Sequence, residues 1–146
     1  MEWSRPRALA RSCAPGLVVE LAGELGAGKT TFVTAYARAL GVSAPVTSPT
    51  FTLVHRYACG EGAPVAVLCH ADLWRLERAE ELDDLDLDEA LESGEAAIVE
   101  WGDRFAVAPG RPRIRVTFEV LDDTTRELVV DASAAGRIDA ASLLAR

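Results

Sequence analysis

Gly23-Glu24-Leu25-Gly26-Ala27-Gly28-Lys29-Thr30 lies between a short apolar run, Leu17 to Ala22, and a segment from Lys29 to Leu40 with helical spacing of its apolar residues. The run has strand length and ends at glycine, which reads as a buried strand. Phe32, Val33, Tyr36, Ala39 and Leu40 fall on one side of the following segment and Gly41 stops it, so an amphipathic helix is expected there. The pattern G-x-x-x-x-G-K-[ST] thus stands in the strand-loop-helix context where it has a physical meaning. Its glycines let the backbone curl until the N–H groups face phosphate; the lysine reaches the outer phosphates and the hydroxyl faces Mg²⁺. A helix starting at Lys29 adds its positive dipole end. At background composition a chain of 146 residues shows the pattern by chance in under roughly 1% of cases. The expected phosphate contacts are Glu24, Leu25, Gly26, Ala27, Gly28, Lys29, Thr30 and Thr31.

Fourteen of the fifteen basic residues are arginine, and Lys29 is the one lysine. Guanine-specific P-loop proteins carry an N-K-x-D element, and no lysine remains to build one, so ATP is expected over GTP. Hydrolytic P-loop enzymes place a second Mg²⁺ partner just past a strand. Two acids compete for that role: Asp72, after the run Val65 to Cys69, and Glu100, directly after Ala96 to Val99. The alternative for each is an end-of-strand cap or a surface acid. Thr47, Ser48 and Thr50 sit in a loop able to sense the γ-phosphate, or they cap a turn. Trp74 and Trp101 border the two acids and either line the site or pack. His55 and His70 have no partner at metal-ligand spacing, so no zinc role is expected.

The remaining segments point to one α/β domain over residues 1–146, with a central, mixed but mainly parallel sheet flanked by helices. Thr50 to Tyr57 alternates as a strand, Cys59 to Pro64 turns, and Val65 to Cys69 returns antiparallel. The acidic stretch Glu77 to Glu95, with Arg78 as its one base, reads as one or two short helices. Ala96 to Val99 is another buried strand. A hairpin from Arg113 to Val120 and Arg126 to Val130, then a helix from Ile138, complete the tail over 113–146.

A net charge of −8 argues against a direct electrostatic grip on nucleic acid, so any RNA link is expected to be indirect. The acidic stretch is a solvated surface or a docking face for a basic protein. Cys13, Cys59 and Cys69 show neither C-x-x-C spacing nor an even count, which suits apolar fillers in a reducing compartment. No apolar stretch reaches the length of a membrane span, and the start of the chain lacks a signal-peptide pattern. A cytoplasmic location is expected.

Four motifs recur together: L-A-G-E-L-G-A-G-K-T-T-F from Leu21, S-P-T-F-T-L from Ser48, H-A-D-L-W-R-L from His70 and I-V-E-W from Ile98. Their order and spacing resemble the TsaE family, formerly YjeE, the ATPase of bacterial tRNA threonylcarbamoyladenosine synthesis. The resemblance runs from about Pro15 to Phe105. It implies a compact P-loop fold and weak ATP hydrolysis that rises on assembly with TsaD and TsaB, which carry out the threonylcarbamoyl transfer. By matching positions it implies that Lys29 and Thr30 bind phosphate and Mg²⁺, and that Thr50 belongs to a first switch. Asp72 and Arg75 would belong to a second switch, and Glu100 would be the acid supporting hydrolysis beside Trp101. The expected metal set is Thr30, Asp72 and Glu100, and the catalytic set is Lys29, Asp72 and Glu100. Family members begin with a strand and a threonine-capped helix, whereas only Ser4 to Ser12 precede Pro15 here. Trp74 stands where tyrosine is usual, and the tail after Phe105 carries no transferred role.

Two other classes fit a phosphate loop. A small-molecule kinase would need an acceptor pocket and an arginine-bearing lid, for which Arg75, Arg78 and Arg104 are available. A binding module would use ATP only as a conformational ligand.

Overall fold

The computed structural model describes residues 4–49 and 51–134. Its elements in chain order are α1 (Ser4–Ala10), β1 (Val18–Gly23), α2 (Lys29–Ala39), β2 (Val54–Ala58), β3 (Val67–Asp72), a 3-10 helix (Ala79–Leu85), α3 (Leu87–Glu92), β4 (Ala96–Glu100), β5 (Arg113–Val120) and β6 (Arg126–Asp131). Among the described residues the strands form one six-stranded sheet in the order β2-β3-β4-β1-β5-β6. The inner strands β3, β4, β1 and β5 run parallel, and β2 and β6 close the edges antiparallel. The fold is the expected α/β P-loop architecture.

The alternation of each strand divides the core in two. Val19 and Leu21 of β1, Leu68 of β3 and Ile98 of β4 face α1 and α2, packing with Leu9, Phe32, Val33 and Tyr36. Val18, Cys69, Ala71, Ala97 and Val99 face the other way, against Leu76, Leu87, Leu91 and Val107. With both faces covered, β4 is buried along its whole length, which is why its sequence reads as a continuous apolar run.

Parallel pairing brings the C-terminal ends of β1, β3 and β4 to one edge of the sheet. Leu21 stands beside Glu100, and Glu100 beside Asp72. The loop after β1, the acid closing β3 and the acid closing β4 are thereby gathered at the point where ligands bind in open α/β sheets.

Two expectations change. β2 starts at Val54, not Thr50, because Leu53 takes a left-handed φ of 65°. Its N–H bonds back to Pro49 while its carbonyl receives the Asp72 N–H, so Phe51 to Leu53 form a turn. β3 runs from Val67 to Asp72 instead of Val65 to Cys69, placing Asp72 on the strand itself. The tail hairpin joins the sheet, with β5 pairing with β1 over six residues. The helix expected from Ile138 lies outside the described residues.

Candidate functional site

The loop after β1 turns on the Ala27 N–H bond to the Glu24 carbonyl. Gly26 and Gly28 hold φ of 80° and 104°, conformations that only glycine adopts without strain. At Gly23, a Cβ would lie 2.9 Å from Cβ of Phe118 on β5, so that glycine lets the loop leave the sheet flush against its neighbour. Glu24, Leu25 and Gly26 are exposed at the tip, while Ala27 and Lys29 are buried. Thr31 is exposed on the first turn of α2.

Lys29 reaches back along the loop. Its Nζ donates to the carbonyls of Gly23 at 2.6 Å and Glu24 at 2.9 Å and lies 3.9 Å from the ring centroid of Trp101. Burial pushes its pKa below the usual lysine range, opposed by the nearby negative charges of Glu100, Asp72 and Asp103. An ammonium so desolvated gains most from an anion delivered to it.

The two candidate acids are separated by the structure. Thr30 Oγ1 donates to Glu100 Oε1 at 2.9 Å, and Glu100 is 3% exposed. Asp72 instead accepts from Ser48 Oγ at 3.0 Å and from the Trp74 N–H at 3.0 Å. Glu100 is therefore the acid joined to the loop hydroxyl, and Asp72 ties β3 to the loop containing Thr47 and Ser48. Thr50 lies outside the described residues.

Aromatic and guanidinium groups cover the flank. Trp74 and Trp101 stack at 4.6 Å between centroids, with Trp101 held at a φ of 60°. Arg104 donates to the carbonyls of Leu73 and Trp74, which locks the loop after β4 to the loop after β3. Arg75 lies over the ring of Phe51. Leu25 of the loop itself, Phe51 before β2 and Trp74 after β3 are large apolar side chains left 75%, 88% and 48% exposed.

Among the described residues no cluster of three or more His, Cys, Asp or Glu could cage a metal. Mg²⁺ does not ask for one: it takes one or two protein oxygens beside phosphate and water. The hydroxyl of Thr30 and the carboxylate of Glu100 could form such a set.

Sequence reading missed two residues. His70 Nε2 lies 2.6 Å from Glu100 Oε2, a contact foreshadowed by the two-residue spacing of His70 and Asp72, which puts both on one face of β3. Phe118 walls Gly23 and meets Phe32 edge-on at 5.5 Å; no local pattern marks it, because the contact depends on which strand lies beside β1.

Comparison with known proteins identifies the family. The family model described as threonylcarbamoyl adenosine biosynthesis protein TsaE matches residues 4–128, extending the likeness beyond both ends of the motif region. The Bacillus subtilis protein named tRNA threonylcarbamoyladenosine biosynthesis protein TsaE is 37% identical over 118 residues, 81% of this chain and 71% of that one. The Streptomyces coelicolor protein of the same name is 39% identical over 125 residues, 84% and 82% of the respective chains. The crystal structure of Bacillus subtilis YdiB superposes with a TM-score of 0.70 at 28% identity, covering 93% of this chain and 80% of that chain. A phosphate loop backed by Glu100, a match over nearly all the described residues and close relatives under one name converge: the chain belongs to the TsaE family.

Proposed function

We propose that the chain binds Mg-ATP on the loop Gly23 to Thr30 and hydrolyses it in support of bacterial tRNA threonylcarbamoyladenosine synthesis, activated by TsaB and TsaD in the cytoplasm and touching tRNA only through them. The observation that carries the hydrolytic part is the bond from Thr30 Oγ1 to Glu100 Oε1, which puts an acid against the hydroxyl that faces Mg²⁺ in phosphate loops.

Lys29 and the loop N–H groups bind and orient the phosphates, with the start of α2 adding positive potential. Thr30 and Glu100 would hold Mg²⁺, which when bound neutralises charge developing on the γ-phosphate. Glu100 would also orient the attacking water. Asp72, bonded to Ser48, is the group through which the Thr47 to Thr50 loop would follow the γ-phosphate. Trp101, over Lys29, excludes water from one side of the ammonium. The exposed Leu25, Phe51 and Trp74 support docking of a protein partner across this edge.

The test is phosphate release from ATP by the chain alone and with TsaB and TsaD. Slow release that rises with the partners and vanishes in Lys29→Ala is expected. Phosphate transfer to a small-molecule acceptor, or release indifferent to the partners, would contradict the proposal.

A further inference from the structure

Glu100 is held at both carboxylate oxygens. Oε1 accepts from Thr30 at 2.9 Å and Oε2 pairs with His70 Nε2 at 2.6 Å. The His70 side chain has no solvent exposure and that of Glu100 has 4%, so both groups are removed from water. His70 belongs to the middle of β3, between His55 of β2 and Ile98 of β4. The ring of Tyr57 lies over it, 6.4 Å away and tilted by 30°.

A carboxylate only accepts hydrogen bonds, so the hydrogen must sit on Nε2. Nδ1 finds no hydrogen-bond partner among the described residues. Burying an imidazole costs free energy unless its polar atoms are matched, and an aliphatic side chain would fill this core position without leaving an orphaned nitrogen. The ring thus makes one polar contact, and that contact is with the acid at the phosphate loop.

We infer that His70 is a positioning residue for Glu100. Its Nε2–H engages Oε2 and blocks rotation of the carboxylate, which commits Oε1 to the Thr30 side where Mg²⁺ and the attacking water are proposed to lie. This rests on the role of Glu100 proposed above. Without His70, the carboxylate of Glu100 loses its fixed orientation. The chemical step then suffers more than nucleotide binding, because orientation is what hydrolysis demands and Lys29 and the loop amides carry most of the affinity.

Single-turnover phosphate release, with protein in excess over labelled ATP and Mg²⁺, separates the maximal rate from the half-saturating protein concentration. Partners that orient a metal ligand from behind are worth about 10- to 100-fold. His70→Leu is accordingly expected to lower the maximal rate by about that factor, with half-saturation moving less than about threefold. In His70→Gln the amide nitrogen reaches the place of Nε2 and should keep the rate within about threefold of wild type. The Asn amide reaches only the place of Nδ1, so His70→Asn should fall with the leucine variant. In a Glu100→Gln background, His70→Leu should cost nothing further. A wild-type rate in His70→Leu, glutamine as slow as leucine, or additive losses in the double variant would overturn the assignment. Should the leucine variant not fold, shown by its melting curve, the Gln and Asn pair carries the same contrast. A wild-type rate in Glu100→Gln removes the role of Glu100 and this inference together; a slow Glu100→Gln beside a normal His70→Leu removes only His70.

Discussion

Two buried glutamates on neighbouring strands have opposite fates. Glu20 of β1 is 1% exposed and Glu100 of β4 is 3% exposed, yet they point to opposite faces of the sheet. Glu20 faces the α3 side, where Arg113 bonds one carboxylate oxygen and Arg115 the other. Arg113 also donates to the carbonyls of Val107 and Ala108. Glu100 faces α2 and is bonded by a hydroxyl and an imidazole; the nearest ammonium, Lys29, spends its hydrogens on the loop carbonyls. A buried carboxylate already neutralised by two guanidiniums has no charge left to offer a ligand. One satisfied by weaker partners retains it, and the desolvation it suffers is relieved when a cation arrives. Burial alone therefore does not single out the acid proposed to act in hydrolysis; the absence of a dedicated cation among the described residues does.

The contrast can be strained at several points. At the Glu100 pole, Lys29→Ala should raise the ATP dissociation constant at least about 100-fold, near 2.7 kcal/mol, measured by equilibrium binding. The same change should leave the unfolding midpoint at or above the wild type's, because burial lowers the Lys29 pKa. A base whose folded pKa lies below its unfolded one opposes folding at neutral pH, and stability rises as pH climbs through that window. At the other pole, Arg113→Ala strips Glu20 of one cation and leaves two carbonyls without that donor. A loss of about 2–3 kcal/mol in denaturant unfolding is expected, with ATP affinity unchanged. Between the poles, Gly23→Ala forces a Cβ against Phe118 and should cost about 1–3 kcal/mol by overpacking. The smallest effect concerns the thiols. Burial raises Cys13 to about 11 and Cys69 to about 12, so at pH 8 alkylation should reach half-buried Cys59 first and spare the other two until the chain is unfolded.

The phosphate loop and α2 were legible because their constraints are local: glycine at left-handed φ, lysine at the helix start, apolar residues at helical spacing. The buried strands β1 and β4 were legible from their short, apolar runs. What lay out of reach depends on partners distant in the chain. Thr30 and Glu100 are separated by 70 positions, so spacing left Asp72 and Glu100 equivalent until β3 and β4 were seen in register. His70 read as an isolated histidine because its partner sits on the adjacent strand. Glu20 drew no notice, since its arginines lie more than 90 positions away. The start of β2 was misplaced because alternation from Thr50 imitates a strand, while Leu53 breaks it with a backbone conformation that leucine rarely adopts.

The division between the two glutamates is tested most directly by measuring both unfolding free energy and single-turnover phosphate release on Glu20→Ala and Glu100→Gln side by side. A crossed pattern is expected. Glu100→Gln should lose about 10²- to 10³-fold in rate while unfolding within about 1 kcal/mol of wild type. Glu20→Ala should lose about 2–3 kcal/mol of stability while releasing phosphate at close to the wild-type rate wherever it is folded. Parallel losses in the two variants, or wild-type phosphate release from Glu100→Gln, would contradict the account.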